Sequence, residues 1–179
     1  MTNALLSAGD RLQLRFARRG DRWEHAIDFR VAGRTVWQLN SDEGTADDAW
    51  PSSPPFQSLE MHAQPDGRTI ALLVGMAGAS HWSASIETDP AGERIVFDVA
   101  CRVKIEPNWL GSSYVLSDPA GRPRIEAIAL ESTADGSQPT IATTGERIVV
   151  RVTDLAGSLP RTVRWKYAIS AFESAAQSR

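Results

Sequence analysis

Polar side chains that could transfer a proton or hold a ligand are concentrated around one glycine-rich connection. His81, Ser83 and Glu87 follow the segment Gly75–Ser80, and they stand at positions of the same parity. Successive side chains of a β-strand point to opposite faces, so these three share one face of a strand. The glycines before them let the backbone approach a ligand closely. This face is therefore the best candidate for a functional site.

A second group of candidate residues precedes this segment. Acid–base catalysis requires an imidazole and a carboxyl group within hydrogen-bond reach. Glu60 and His62 lie on the outward face of a neighbouring predicted strand, with either histidine as acid or base and Glu60 or Glu87 as its counterpart. If both strands belong to one sheet, a shared concave surface would be lined by Glu60, His62, His81, Ser83, Glu87 and Arg102. The alternative interpretation is a hydrated sheet exterior with ordinary cross-strand pairs.

The tryptophans divide into two classes. Four of them, namely Trp23, Trp37, Trp82 and Trp165, fall on apolar strand faces and are predicted to be core residues. Trp50 and Trp109 fall in loops, beside Pro51 and Leu110 respectively. A ligand with many hydroxyl groups could stack a sugar face on one of these two rings. The predicted ligand-binding residues are Trp50, Trp109, His81, Ser83 and Arg102.

Motifs for metals, cofactors and nucleophiles are missing from the sequence. The three histidines show neither H-x-H nor H-E-x-x-H spacing, so we expect no metal site and no cofactor. The Asp42–Asp48 cluster does not follow the order of an EF-hand loop, and we expect a solvated acidic loop. Neither G-x-S-x-G nor a phosphate-binding glycine motif occurs. Cys101 is the one cysteine, which excludes an internal disulfide, and its apolar strand face predicts an inert buried thiol.

Composition and charge describe an ordinary globular chain. Of its 179 residues, 42% are hydrophobic and 23% are charged, and the net charge of −3 predicts no general attraction to nucleic acid or to anionic membranes. Seven arginines between Arg11 and Arg34 are interspersed with acidic residues and indicate a mixed solvated face. The start shows no signal peptide, and the longest apolar run, Ile70–Ala79, is too short to span a bilayer, so a cytoplasmic location is expected.

Strands must position these residues, because apolar residues alternate with polar ones along most of the chain. In Arg22–Val31 the odd positions are apolar or aromatic and the even ones are mostly charged. A two-residue turn at Arg19-Gly20 predicts the pairs Phe16 with Trp23, Leu12 with Ile27 and Arg18 with Asp21. A three-residue turn, Ala32-Gly33-Arg34, predicts Phe29 opposite Trp37 and Ile27 opposite Leu39.

The same reasoning predicts three later hairpins. A loop at Pro65–Arg68 sets Met61 opposite Leu72 and Leu59 opposite Val74, with Glu60 and His62 opposite Leu73 and Ala71. A loop at Asp89–Gly92 predicts the pairs Ile86 with Ile95, Ala84 with Phe97, Trp82 with Val99, Ser83 with Asp98 and Glu87 with Arg94. Across the Leu155–Pro160 loop, Ile148, Val150 and Val152 are predicted to face Tyr167, Trp165 and Val163. Shorter strands are expected at Ser113–Leu116, Arg124–Glu131 and Thr140–Thr143.

About eleven antiparallel strands with one apolar face each need a second sheet or a closed barrel to cover them. We predict an all-β, two-sheet antiparallel sandwich, with a β-barrel as the alternative and almost no helix beyond a turn near Phe172–Gln177. The chain reads as a single domain, 1–179, with short flexible ends at 1–8 and 174–179. The long connection Asn40–Pro55 is of the kind that is usually functional or disordered.

Three function classes remain open at this stage. The leading hypothesis is a non-catalytic binding or interaction module whose ligand is a small molecule, a carbohydrate or a protein partner. The second is an enzyme that acts on a small sugar-like or carbonyl substrate through His/Glu acid–base catalysis. The third is a structural subunit of a homo-oligomer, such as a homodimer, built through an exposed edge strand or an apolar patch.

Overall fold

The computed structural model describes residues 3–89, 91, 93–118, 123–128 and 138–171, and these form two antiparallel sheets. Sheet I has the strand order β1-β2-β3-β4-β9-β12-β11. Its strands are β1 (Asn3–Ala8), β2 (Leu12–Arg19), β3 (Arg22–Val31), β4 (Arg34–Ser41), β9 (Gly111–Leu116), β12 (Arg147–Arg151) and β11 (Thr140–Thr144). Sheet II has the order β10-β13-β8-β7-β6-β5. Its strands are β10 (Arg124–Ile128), β13 (Arg161–Ser170), β8 (Arg94–Val103), β7 (Ser80–Asp89), β6 (Thr69–Ala77) and β5 (Phe56–Ala63).

The predicted all-β sandwich is confirmed, and the alternative of a closed barrel is not what the chain forms. Each sheet turns one face to the other and one face to solvent, as the alternation along β7 and β8 requires. The shared core contains the largest fully buried side chains of both sheets, which are Trp165, Tyr114, Tyr167, Phe16, Phe97, Leu12, Leu14, Ile27, Leu39, Leu73, Ile86 and Ile95. Cys101 is buried in this core, and burial raises the pKa of its thiol to about 12. Among the described residues, no helix is long and apolar enough to cross a membrane.

The pairing of β3 with β4 matches the prediction, although its turn does not. Phe29 lies opposite Trp37 and Ile27 opposite Leu39. The connection is a two-residue turn, since Val31 pairs with Arg34, and a bulge at Phe29/Arg30 takes up the extra residue. The predicted three-residue turn is therefore wrong in form but correct in its effect on the register.

The predicted registers of two other hairpins are wrong by two residues. In β2–β3, Phe16 pairs with His25 and Leu12 with Phe29, because the turn is Gly20-Asp21 rather than Arg19-Gly20. Gly20 has φ +60° at the first turn position, where a side chain is disfavoured. The predicted pair of Arg18 with Asp21 fails too, since Arg18 lies opposite Trp23. A shift of two residues leaves every side chain on its predicted face.

The hairpin β7–β8 shows the second such shift. Ile86 pairs with Phe97, Ala84 with Val99 and Trp82 with Cys101, while Ser83 faces Ala100 and Glu87 faces Val96. The strands run on to the pair Asp89–Arg94, whose side chains form an ion pair at 3.1 Å between Oδ2 and Nε. Arg94 is thus bound by Asp89, not by the predicted Glu87.

The hairpin β5–β6 departs from the prediction by one residue, which exchanges the two faces of β6. Met61 pairs with Ala71 and Leu59 with Leu73, so Glu60 lies opposite Leu72 and His62 opposite Ile70. The cause is the unbroken apolar run from Ile70 onward, where no polar residue indicates which face points outward. Leu73 is consequently buried and Leu72 exposed, the reverse of the predicted arrangement.

The predicted hairpin of β12 with β13 does not form, because the two strands belong to different sheets. Tyr167, Trp165 and Val163 pair with Phe97, Val99 and Cys101 of β8. Ile148 and Val150 instead pair with residues of β9 and β11. A long connection imposes no register, so the segment between these strands crosses from sheet I to sheet II.

The remaining differences concern short segments. Residues 3–8, predicted as a flexible end, form the edge strand β1 and pair with β2. The predicted strands near 113–116, 124–131 and 140–143 correspond to β9, β10 and β11, although residues 129–131 lie outside the described residues. The predicted helical turn at 172–177 and the end 174–179 lie outside them too.

Neighbouring leucines of β6 provide a matched test of this register. We expect Leu73→Ala to lower the free energy of unfolding by about 3 kcal/mol, because it leaves a cavity in the core. Leu72→Ala on the outer face should cost less than about 1 kcal/mol. Leu73 is 1% exposed and Leu72 is 41% exposed. Urea unfolding of both variants measures the difference, and equal or reversed losses would contradict the pairing of Leu59 with Leu73.

Candidate functional site

The two loop tryptophans singled out in the sequence line one open groove on the outer face of sheet I. We call it the tryptophan groove, and its volume is about 550 Å³. It is lined by Trp50, Ser52, Trp109, Ser113, Thr140, Ala142, Arg147, Val149, Arg151 and Thr153. The floor consists of outward side chains of β9, β12 and β11, which pair as Ser113–Val149–Ala142 across the three strands. The long connection after β4 brings Trp50 to this floor.

Trp109 is held in the groove from two sides. Its Cζ2 atom lies 3.2 Å from the position that a Cβ atom would take on Gly111, so a residue with a side chain there would displace the ring. The guanidinium carbon of Arg151 stands 5.3 Å from the ring centroid, which is a cation–π contact. The ring nitrogen Nε1 of Trp109 is buried and has no hydrogen-bond partner among the described residues.

Trp50 is partly buried, and its ring meets that of Trp82 edge to face. The two centroids are 5.9 Å apart at an interplanar angle of 64°. The connection that carries Trp50 is tied to β9 by Ser53, whose hydroxyl donates to the carbonyl of Ser113 and accepts from its N–H, both at 3.0 Å. The long loop that the sequence marked as functional or disordered is therefore anchored, and Trp50 has a defined place in the groove.

Two groove residues, Arg147 and Arg151, were missed in the sequence. A signal existed, because both have the parity of Val149, while Ile148 and Val150 between them are buried. Alternation alone thus places the two arginines on the outer face of β12. What alternation does not reveal is that β12 lies beside β9, and so beside Trp109.

The predicted polar face around His81 lies on the outer face of sheet II, away from the tryptophan groove. A second groove of about 580 Å³ contains His81, Ser83 and Arg102 together with the apolar side chains of Val74 and Met76. His81 pairs with Arg102 across β7 and β8, and its Nε2 atom lies 3.2 Å from Nζ of Lys104. The five predicted ligand-binding residues are therefore divided between two sites.

The predicted catalytic histidines and glutamates share the outer face of sheet II but do not form one site. His81 and Glu87 are six positions apart on β7, which separates them by about 20 Å. Glu60 stands two strands away and four positions along, about 16 Å from His81. Glu60 and His62 do meet, with Nε2 to Oε2 at 3.3 Å, but both are exposed and neither lines the second groove. Within the described residues, no group of three His, Cys, Asp or Glu side chains could hold a metal ion.

A chain of buried polar groups runs from the acidic loop into the core. The Ser41 hydroxyl donates to Glu43 Oε1, which lies 3.8 Å from His25 Nδ1. His25 Nε2 is 3.3 Å from the Tyr114 hydroxyl, and that hydroxyl is 2.6 Å from the hydroxyl of Tyr167. This is the buried polar chain. Only 9% of the Glu43 side chain is exposed, so the expectation of a wholly solvated acidic loop is wrong at this residue.

Burial decides the protonation of this chain at neutral pH. It raises the pKa of Glu43 to about 7, although the hydrogen bond from Ser41 opposes the rise. It lowers the pKa of His25 to about 4, so the imidazole is neutral near pH 7. Burial also raises the pKa of both tyrosines well above the ordinary value. His25, Tyr114 and Tyr167 are enclosed in the core and act as a structural link. Ser41 and Glu43, at the other end of the chain, line an open cavity of about 420 Å³ together with Arg19 and Arg22.

Comparison with known proteins does not assign the chain to a family. No protein-family model matches the chain, and neither a curated protein nor a solved structure is similar to it. The geometry of the two grooves therefore carries the functional argument alone.

Glu43→Gln should change how stability depends on pH. A carboxyl group whose pKa rises from about 4.5 to about 7 on folding stabilises the native state below this window and loses that contribution as the pH rises through it. Wild type should therefore lose roughly 3 kcal/mol relative to Glu43→Gln between about pH 4.5 and about pH 7. Urea unfolding of both proteins at several pH values measures the difference.

Glu60→Gln is the matched control, because it removes the same charge from an exposed position. We expect no comparable pH-dependent difference for this variant. A difference between wild type and Glu43→Gln that stays constant over the window would contradict the buried, protonated state of Glu43.

Proposed function

We propose that the protein is a non-catalytic binding module that holds a carbohydrate in the tryptophan groove. The observation that carries the proposal is that Trp50 and Trp109, distant in sequence, line the same open groove. The apolar face of a sugar ring can stack on an indole, while its hydroxyl groups require polar partners around that contact. Hydroxyl groups of Thr140, Ser52 and Thr153 stand in the same lining.

The shape of the groove suits an extended ligand better than a ligand that the protein would enclose. The groove is open along the sheet, and its volume of about 550 Å³ suits a ligand of a few sugar rings. Both tryptophans are held by packing before any ligand arrives, Trp50 against Trp82 and Trp109 against Gly111. Because the rings are already ordered, binding loses less side-chain entropy than it would with mobile rings.

The distances on sheet II favour a binding module over an enzyme that uses His/Glu acid–base catalysis. The groove with Trp50 and Trp109 has no carboxylate or histidine in its described lining. The groove with His81 lacks both glutamates that were proposed as its counterpart. A proton-transfer pair needs hydrogen-bond reach, and His81 has no carboxylate at that distance among the described residues.

Trp109→Ala should weaken carbohydrate binding by about tenfold or more, since truncation of a central aromatic residue of a binding site commonly costs about 2 kcal/mol. Trp50→Ala should weaken it as well. A glycan array of neutral and acidic oligosaccharides identifies the ligand, and calorimetry with that ligand measures the affinities.

Trp37→Ala is the matched control, because Trp37 stacks on Phe29 at 3.5 Å and lies outside the groove. This variant should lose stability but keep the affinity of wild type in its folded fraction. Retention of no glycan on the array, or an equal loss of binding in Trp37→Ala and Trp109→Ala, would contradict the proposal.

One observation favours a second candidate function, a homodimer built through sheet II. Leu72, Val74 and Met76 stand in a row on the outer face of β6, with exposed fractions of 41%, 54% and 46%. A contiguous apolar stripe on a sheet surface is a typical interaction site. Light scattering over a wide range of concentrations should then show a dimer in wild type and a monomer in Val74→Lys. A monomer at every concentration would contradict this candidate.

A further inference from the structure

The tryptophan groove is positively charged, although the whole chain is not. Its described lining contains Arg147 and Arg151 and no carboxylate, whereas the chain carries a net charge of −3. The two arginines are four residues apart on β12, so their Cα atoms are separated by about 13 Å along the same face. A ligand lying along the groove would pass both of them.

The two arginines differ in what already binds them. The Nη1 atom of Arg147 lies 2.6 Å from Oδ2 of Asp42, and this ion pair neutralises the guanidinium and fixes its position. Asp42 itself is anchored, because its N–H donates to the carbonyl of Ser113 at 2.9 Å. Arg147 therefore borders the groove in a defined position, and its charge is already balanced by Asp42.

Arg151 has no carboxylate partner within the part of the chain that the structure describes, and its guanidinium faces the Trp109 ring at 5.3 Å. Its backbone is fixed between Gly111 of β9 and Thr140 of β11. Stacking on an aromatic face occupies the plane of a guanidinium but leaves its N–H edge free. That edge can donate two parallel hydrogen bonds to a carboxylate or a related oxyanion.

From these contacts we infer that the groove binds an acidic saccharide, whose carboxylate or sulfate is bound by the N–H edge of Arg151 while the sugar ring lies against Trp109 and Trp50. This inference rests on the proposed carbohydrate-binding function and specifies the ligand class for the same site. The tryptophans contribute the apolar contact, and Arg151 discriminates the acidic sugar from its neutral counterpart.

The charge pattern of the rest of sheet I fits a small acidic ligand better than a large polyanion. The arginines of β2 and β3 are bound by the protein itself, as in the pairs Arg15–Asp28 and Arg19–Glu24. A nucleic acid gains most of its affinity from many phosphate contacts. One guanidinium beside an aromatic ring is suited to a single acidic group.

The test compares an acidic sugar with its uncharged methyl ester and with a sulfated sugar. Tetragalacturonate, its fully methyl-esterified form and a tetrasaccharide of galactose 6-sulfate are titrated into wild-type protein and followed by calorimetry. The indole N–H signal of Trp109 in an NMR spectrum reports occupation of the groove. We expect the acidic sugars to bind about tenfold more tightly than the ester. Their affinity should fall as salt is added, because salt screens the charge of Arg151. The carboxylate and sulfate probes show which of the two acidic groups is preferred.

The variant Arg151→Gln then tests whether this one side chain causes the preference for the acidic sugar over the ester. This variant should abolish the preference, because it reduces the affinity for the preferred acidic sugar about tenfold more than the affinity for the ester. The ester loses only the support that Arg151 gives to the Trp109 ring. Arg151→Lys keeps the charge but not the planar fork, and should retain part of the preference. Arg34→Gln, which removes an exposed arginine outside the groove, should change nothing.

The outcomes separate this inference from the proposed function. Equal affinity for the acidic sugars and the ester, or an equal loss of both in Arg151→Gln, would overturn the inference while leaving carbohydrate binding intact. Absence of binding by every probe, with no glycan retained on the array, would overturn both. Because the comparison of acidic sugar with ester uses wild-type protein, it decides the question even if a variant fails to fold.

Discussion

A hydrogen bond between the hydroxyl groups of Tyr114 and Tyr167, 2.6 Å apart at the centre of the core, joins the two sheets. Tyr114 belongs to β9 of sheet I and Tyr167 to β13 of sheet II. Buried hydroxyl groups need partners, and these two provide them for each other in one relative position of the sheets. His25 extends the link within sheet I, and Glu43 extends it to the loop after β4. The polar chain thus constrains the packing of the sheets and the start of the loop together.

Strand β9 transmits this constraint to the outer surface. Its even residues, Ser112 and Tyr114, point into the core, whereas Ser113 faces the tryptophan groove. The loop is also hydrogen-bonded to the backbone of Ser113, through the hydroxyl of Ser53 and through the N–H of Asp42. The loop is therefore held at one end by the buried Glu43 and along its length by β9. This explains how a segment without regular structure can present Trp50 at a fixed place.

The two outer faces of the sandwich have different chemical characters. The groove on sheet I combines two indole rings with arginines and hydroxyl groups, and the groove on sheet II combines an apolar stripe with His81 and Arg102. Rigid sheets provide precise platforms for such surfaces, because backbone pairing fixes the spacing of the side chains. The proposed carbohydrate site uses the outer face of sheet I, and the proposed dimer surface uses the outer face of sheet II.

Alternation of polar and apolar residues by itself determined that the chain is all-β and which side chains of β2, β3, β7 and β8 point inward. It did so because the two-residue period of a strand is local and survives a shift of the partner strand by two residues, as in Phe16 facing His25 instead of Trp23. Only the tertiary structure decided the face of Leu72, since a continuous apolar run contains no period. It also decided that β12 and β13 lie in opposite sheets, and that Trp50, Trp109 and Arg151 meet in one groove. Those contacts join segments far apart in the chain, and their free energy comes from packing of the two sheets, which no local pattern encodes.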